Sequence, residues 1–330
     1  MQSVEDIFSH FKDLRIGVIG DVMLDTYMWG HVERISPEAP VPIVSLDKKE
    51  QRIGGAGNVA LNIQSLGATA FVLSVTGEDE DAACLNKLFQ NQSIDAHYAI
   101  QSSDRITTNK TRIISRNQQM MRLDAEITTD LTWKEEERLL AAFQQFINIE
   151  KPHLVILEDY NKGVLTERVI GSVIRICKEA NVLTAVDPKR KNFFEYKGVD
   201  IFKPNLKEVR EALNLLFTDV DMALLSDIHG QLHSHLGHQV SFITLSEKGV
   251  FYQQDNRANI LPSHIRNVAD VSGAGDTVIA VAALVYTATK DIHLMAEMAN
   301  IAGGLVCEVV GTAAIDRQKL LHESEVLLGF

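Results

Sequence analysis

Short apolar runs recur along the chain at residues 15–20, 71–75, 154–157, 182–187, 200–203 and 242–245, each of strand length and with charge, where present, only at its ends. Stretches with helical spacing lie between them, at 58–66, 134–146, 166–180 and 206–215, and Gly67 stands where a left-handed stop would close the first. Continuous apolar strands alternating with helices predict an α/β fold, a mostly parallel central sheet buried on both faces. Residues 278–285 are apolar all round and read as a buried helix.

Two segments break the rhythm. Residues 27–46 hold three of the seven prolines and end in the alternating run Val41-Pro42-Ile43-Val44-Ser45-Leu46. Residues 106–124 read as a hairpin around a polar turn, Ser115-Arg116-Asn117-Gln118. Half-polar strands of this kind predict a small β lid, formed by about 26–52 and 104–126 and inserted in one domain covering 1–330. An exposed sheet invites a partner, so a homodimer through the lids is expected; a pair of unpaired surface hairpins is the alternative.

The net charge of −12 argues against a nucleic-acid or anionic-membrane surface, while leaving room for a local basic pocket. Cys84, Cys177 and Cys307 are far apart and lack zinc spacing, which suits reduced thiols. The acidic, amphipathic first residues are unlike a signal peptide, and no apolar run approaches membrane-spanning length, so a cytoplasmic protein is expected.

The densest chemistry is Asp270-Val271-Ser272-Gly273-Ala274-Gly275-Asp276-Thr277, just before the buried helix. Free N–H groups at a helix start attract anions, and glycine lets a phosphate approach. A carboxylate there would repel that phosphate. It makes sense if Asp276 removes a proton from a hydroxyl attacking phosphorus. The alternative is a first-turn charge favourable to the helix dipole.

A second glycine cluster, Gly54-Gly55-Ala56-Gly57-Asn58, could bring backbone N–H groups and an amide to sugar hydroxyls. It also satisfies G-x-G-x-x-A from Gly55, with Glu78 and Asp79 downstream, so an NAD-dependent dehydrogenase is formally open. The charged residues 48–52 before it are wrong for the buried strand that should feed such a turn. Asp21 and Asp25 follow the first strand, where α/β ligands bind, and could accept from sugar hydroxyls or serve as loop caps. Asn205 and Glu208 form a capping-box pattern that could also place Glu208 on magnesium-bound water and Asn205 beside nucleotide phosphates. Thr244, Ser246 and Gly249 end another strand in a turn suited to phosphate. Arg112, Arg116, Arg122, Lys162 and Lys189 are the cations considered for a second anion. The histidines of 229–238 invite a metal reading but lack an acidic or cysteine partner, so a solvated helix face is the default.

In this order, Gly54-Gly55-Ala56-Gly57-Asn58, Asn205 with Glu208, and Gly273-Ala274-Gly275-Asp276 make the chain resemble the ribokinase/PfkB family of sugar kinases over essentially its whole length. The resemblance implies a three-layer α/β/α ribokinase-like fold with a β lid. It implies Asp276 as catalytic base, the Gly273, Ala274 and Gly275 amides as anion hole, and MgATP along Asn205, Glu208, Thr244, Ser246, Gly249 and Asn300. A monovalent cation, potassium, near Asp270, Val271 and the Gly311-Thr312 turn is implied as well.

The segments 34–42, 115–124, Asp159-Tyr160 with Lys162-Gly163, and Asp187-Pro188-Lys189 are similar to the branch that phosphorylates the C1 hydroxyl of D-glycero-D-manno-heptose 7-phosphate, on the route to ADP-heptose for lipopolysaccharide. That resemblance implies Asp159, Arg116, Arg122, Lys162 and Lys189 on the substrate side. Many relatives carry a C-terminal nucleotidyltransferase with an H-x-G-H-type motif; the sequence reaches Phe330 without such a domain, so adenylyl transfer is expected elsewhere or from a part not included in it. Glu158 and Asn161 replace smaller residues, and Leu245 replaces a frequent basic one. The rivals are a kinase of this fold for another sugar or sugar acid, and a non-catalytic sugar or nucleotide sensor.

Overall fold

The computed structural model describes residues 3–116, 118–264 and 266–329; Asn117 of the lid turn and Phe330 lie outside them. The chain opens with α1 (Val4–Phe11), β1 (Arg15–Gly20) and two long strands, β2 (Val22–Ile35) and β3 (Pro42–Gly55). Then come α2 (Ala56–Ser65), β4 (Thr69–Leu73), β5 (Val75–Gly77), α3 (Glu80–Asn91) and β6 (Ile100–Ser102). A hairpin of β7 (Asn109–Ser115) and β8 (Gln118–Ala125) precedes α4 (Trp133–Glu150), β9 (Leu154–Glu158), α5 (Glu167–Glu179) and β10 (Leu183–Asp187). The remainder is β11 (Ile201–Phe202), α6 (Leu206–Ala212), α7 (Met222–Leu236), β12 (Val240–Thr244), β13 (Val250–Gln254) and β14 (Arg257–Leu261). Three helices end the described chain: α8 (Ala274–Thr289), α9 (Ile292–Val306) and α10 (Arg317–Leu328).

The main sheet runs β14-β13-β12-β11-β10-β9-β1-β4, parallel from β4 to β12 and antiparallel at β13 and β14. Its strands bury both faces, so successive residues enter different cores. Ile16, Val18, Leu154 and Ile156 pack with α1, α2, α8 and α9, while Ile19, Val155 and Leu157 pack with α4, α5 and α7. This is the expected three-layer arrangement. The expected run 71–75 is divided at Ser74, whose hydroxyl donates to the Gly20 carbonyl (2.6 Å). The antiparallel edge was not expected, because β13 and β14 are half polar and short. Helix α8 is buried continuously from Asp276 to Tyr286, as its all-round apolar pattern requires. Among the described residues no helix is long and apolar enough to cross a membrane.

A separate four-stranded sheet, β3-β2-β7-β8, is built from the two irregular segments and extends beyond them to Val22 and Gly55. Its register makes one charged face. One row holds Arg52, Asp25, Lys110 and Asp124; the next on that face holds Glu50, Tyr27, Arg112 and Arg122.

The histidine group is not a solvated face. His229 and His238 are buried, and both rings meet the Ser241 hydroxyl, at 2.9 and 2.6 Å. His233 Nδ1 contacts the His238 carbonyl at 2.8 Å. Among the described residues no metal-binding cluster of histidine, cysteine or carboxylate occurs. Burial, with His229 and His233 adding to it, pushes His238 down to about 3. Its folded form stays neutral while the unfolded chain takes a proton below about pH 6.5, so this group withdraws stability as pH falls from there. Relative to His238→Asn, the wild type should lose about 2 kcal/mol more between pH 7 and pH 5. Urea unfolding of both proteins at the two pH values checks this, and a pH-independent gap between them refutes it.

Candidate active site

The chain enters α8 through Gly273, whose φ of +79° belongs to the left-handed region, and a Cβ there would lie 2.7 Å from Asn58 Nδ2. Both facts require glycine. Gly275 and Asp276 follow at helix positions whose N–H groups have no acceptor within the helix, which leaves them for an anion. Asp276 is 3% exposed. Its Oδ2 accepts from Asn58 Nδ2 (2.8 Å) and its Oδ1 from the Tyr160 hydroxyl (2.6 Å).

Asn58 is itself fixed. Asn62 Nδ2 donates to its carbonyl (2.8 Å), and Asn62 Oδ1 accepts from Thr277 Oγ1 (3.1 Å) and Ile315 N (2.9 Å). Burial pushes the Asp276 carboxyl up to about 6; Tyr160 and Asn58 pull it back, Asp187 pushes it up and Lys203 opposes that. A base poised there is mostly ionised at neutral pH and still basic enough to accept a hydroxyl proton.

Beside it, the ends of adjacent parallel strands collect charge. Lys203 Nζ donates to Asp187 Oδ2 (2.6 Å) and the Gly275 carbonyl (3.4 Å). Lys189 Nζ bridges Asp187 Oδ1 (3.2 Å) and Glu208 Oε1 (2.7 Å). Asn205 and Glu208 complete the capping box of α6, Asn205 N donating to Glu208 Oε2 (2.8 Å) and Glu208 N to Asn205 Oδ1 (2.9 Å). Burial works to raise Asp187, but the two lysines override it and hold the carboxyl below its usual range. Glu158, at the end of β9, is fully buried with both carboxyl oxygens unpartnered. Burial first, then Asp187 and Asp276, raise it well above the carboxylate range.

A cavity of about 1120 Å³ opens from the start of α8 and is lined by Asn205, Thr244, Ser246, Gly249 and Asn300 together with Ala274 and Gly275. Leu245, Val250, Val271 and Val278 supply apolar wall. Its size and mixed lining fit a nucleotide whose phosphates reach Gly275. Glu208 does not line it; its carboxylate turns to Lys189 and Asn205. Asp187 and Glu208 share Lys189 Nζ, and Asp187 also holds Lys203 Nζ; their hard oxygen donors fit Mg²⁺ reached through water once phosphate oxygens complete the set.

On the opposite side, Gly54 lies against Asp25, leaving no room for a Cβ (2.3 Å from Oδ2), and Gly55 takes φ +59°. Asp25 pairs with Arg112, whose guanidinium stacks on Tyr27, 5.2 Å from the ring centroid. Lys110 stands 5.5 Å from the centroid of Tyr160. Burial and the neighbouring Lys162 lower Lys110 from its ordinary value, so this corner of the site favours a bound anion.

Several expectations need correction. Asp21 is turned inward: it accepts from the amides of Tyr160 (2.9 Å), Lys162 (3.0 Å) and Val164 (3.1 Å) and shapes that loop. Asp159 is likewise occupied, by Asn161 N and the Tyr196 hydroxyl, both at 2.7 Å. Lys189 is bound to Asp187 and Glu208, and its Nζ also stands 5.7 Å from the Tyr160 ring centroid. Lys162 is paired with Glu126 (2.7 Å), Arg122 with Asp124 (2.8 Å), and Arg116 sits exposed on the hairpin turn. Monovalent cation binding at Asp270 does not fit, since one oxygen accepts from Ser272 N and Oγ (3.0 and 2.9 Å) and the other from Gly311 N (2.9 Å). The strand before Gly54 is antiparallel in the small sheet, so the dinucleotide context is lacking. Tyr160, Lys110, Asn62 and Lys203 were not foreseen; only the alternation of Lys110 with Arg112 signalled that one strand face carries cations.

The pfkB family carbohydrate kinase model matches residues 13–319. The chain belongs to this family. It is therefore a phosphotransferase with an alcohol group as acceptor, and its fold is ribokinase-like. The bifunctional protein HldE of Geobacter metallireducens is 35% identical over 321 residues, covering 97% of this chain and 65% of that protein. The bifunctional protein HldE of Aliarcobacter butzleri is 39% identical over 302 residues, covering 92% and 62%. The chain thus spans less than two thirds of either relative. Among solved structures, phosphofructokinase-2 from Escherichia coli in complex with potassium superposes with a TM-score of 0.78 at 16% identity, covering 94% of this chain and 99% of that one. Arabidopsis thaliana ribokinase complexed with ribose and ATP gives 0.72 at 17%, covering 93% and 98%.

With Asp276 as the expected base, which acts only when ionised, kcat/KM should fall as pH drops through about 6. Tyr160→Phe removes a donor that favours the ionised form, so that acid limb should move to higher pH. Unmoved limbs in matched pH profiles would rule Tyr160 out as a partner of the base.

Proposed function

We propose that this kinase transfers the γ-phosphoryl group of ATP to the C1 hydroxyl of a heptose 7-phosphate, giving the 1,7-bisphosphate in the cytoplasm. The observation that carries the reading is the charged face of the small sheet, where Lys110 and Arg112 meet Tyr160 and Asp25 within one layer of the base. An acceptor that already bears a phosphate gives those cations a task. The similarity of the 34–42 and 115–124 segments to heptose 7-phosphate kinases, and the relatives named HldE, support the same acceptor.

In this reading Asp276 takes the hydroxyl proton while Asn58 and Tyr160 hold its carboxylate in line. The amides at Gly273 and Gly275 receive the charge that develops on the transferred group, Ala274 N being turned to the Val271 carbonyl (3.3 Å). The nucleotide lies along Asn205, Thr244, Ser246, Gly249 and Asn300. Mg²⁺ held by Asp187 and Glu208 would supply charge neutralisation on the phosphates. The small sheet acts as a lid over the sugar, excluding water as a competing nucleophile.

Magnesium-dependent ADP release should strongly favour D-glycero-β-D-manno-heptose 7-phosphate over fructose 6-phosphate, ribose and 2-keto-3-deoxygluconate. Asp276→Asn should lower turnover by about 10³-fold with ATP affinity nearly intact, and Lys110→Ala should raise the KM for the phosphorylated sugar alone. Preference for another acceptor would move the enzyme to a different substrate, and turnover retained in Asp276→Asn would remove the base assignment.

The outer face of the small sheet supports pairing with a second copy. Met28, Ile113 and Met121 form one register row, with Leu123 two residues along the same face, and Met121 and Leu123 are 55% and 52% exposed. Sedimentation should give a dimer for the wild type and a monomer for Leu123→Asp; a wild-type monomer would exclude the pairing.

A further inference from the structure

We propose that the guanidinium of Arg52 fills the place a monovalent cation would take beneath the anion hole, and that Arg52 is the positioning residue joining the small sheet to the catalytic turn. Arg52 Nη1 donates to the carbonyls of Val310 (3.1 Å) and Thr312 (3.0 Å), and its Nε donates to Glu50 Oε1 (2.6 Å). Its plane lies over the Tyr27 ring, 4.9 Å from the centroid, with Arg112 also against that ring at 5.2 Å. The Tyr27 hydroxyl in turn accepts from Thr312 N (3.2 Å). Between the two carbonyls Gly311 adopts φ +76°, and a Cβ there would meet Arg52 Nη1 at 2.8 Å and the Tyr27 hydroxyl at 2.9 Å. The turn is closed around the arginine.

From that turn the path to the anion hole is short. Gly311 N donates to Asp270 Oδ2 (2.9 Å), and Asp270 Oδ1 accepts from Ser272 N and Oγ. Ser272 is the residue before Gly273. A bare cation at this place would need the same oxygens: two outward carbonyls and a carboxylate. Here both carbonyls already receive a planar, permanently charged group, and both carboxylate oxygens receive N–H or O–H donors. A second positive charge would meet Arg52 at close range, and of the two carbonyls, the carboxylate and the Thr312 hydroxyl at this turn, only the hydroxyl, buried and unpartnered, is left without a donor. The chain thus carries its cation on a lid strand, so seating the small sheet and shaping the Ser272–Gly273 turn become one event. Phosphofructokinase-2 from Escherichia coli, which shares the fold, was solved with potassium.

This inference rests on the Gly273–Asp276 turn being the anion hole, and its test separates the two. Wild type, Arg52→Ala and Arg52→Lys are compared in potassium chloride and in tetramethylammonium chloride at equal ionic strength. Two readouts are taken: ADP release with the heptose phosphate, and the thermal midpoint without any acceptor. The wild type should agree within about twofold in the two salts. Arg52→Ala should lose at least tenfold in kcat in tetramethylammonium with little change in the KM for ATP, and potassium should restore part of it. Potassium should raise the midpoint of Arg52→Ala and not that of the wild type, and Arg52→Lys should recover part of kcat. Strong potassium activation or stabilisation of the wild type would overturn the proposal, even if Arg52→Ala does not fold. Wild-type kcat in Arg52→Ala would do the same. Failure of the heptose as acceptor leaves the midpoint comparison to decide.

Discussion

Burying a carboxylate at the start of α8 sets the terms for the rest of the site. A negative group at that place competes with the phosphate that the same helix terminus attracts, and burial alone would neutralise it. Two donors from distant parts of the chain, Asn58 and Tyr160, keep the Asp276 carboxylate ionised and aimed. Each donor is then held by an arrangement of its own. Asn58 depends on Asn62, which also ties Thr277 and Ile315, so α2, α8 and the segment before α10 share one hydrogen-bond network. Tyr160 depends on the loop that Asp21 gathers through three amides. The glycines of the two motifs follow from this crowding: a side chain at Gly273 would displace Asn58, and one at Gly54 would displace Asp25.

The small sheet stands on the core through the same residues that charge its inner face. Asp25, Tyr27, Arg52 and Arg112 form an alternating stack of anion, ring and cations, and one end of that stack reaches the 310–312 turn. Ion pairs of this kind contribute little at an exposed surface, but Asp25 is buried and Arg112 nearly so, and geometry is their main product. Sheet and catalytic turn are consequently coupled by directional contacts, which transmit a change of seating better than apolar packing does.

What could be read from the sequence follows chain distance. The Gly273–Asp276 turn and the Asn205–Glu208 pair were legible because their chemistry lies within a few consecutive residues. The parallel sheet was legible because buried strands are apolar without interruption. Tyr160, Asn62 and Arg52 were not, since their partners lie 116, 253 and 260 residues away. Asp21 was misplaced, and the carboxylate partners of Lys189 went unforeseen, for a related reason. A carboxylate at the end of a parallel strand has the same local sequence whether it meets a ligand or three backbone amides. A lysine after a strand does not disclose which of its two sides holds the carboxylates.

The charges between the two halves of the site nearly balance, and Glu158 explains how. Asp187 and Glu208 face Lys189 and Lys203, two anions against two cations. Asp276 adds a third anion, the one proposed as the base. A fourth at Glu158, buried and with neither carboxyl oxygen hydrogen-bonded, is disfavoured by burial and by Asp187 and Asp276, which Lys203 and Lys189 oppose only in part. Burial and these two carboxylates favour its protonated form, and its side chain fills buried space beside Asp187 and Asp276. Keeping water away from Asp276 strengthens each electrostatic contact in the turn and denies the phosphoryl group its simplest competing acceptor.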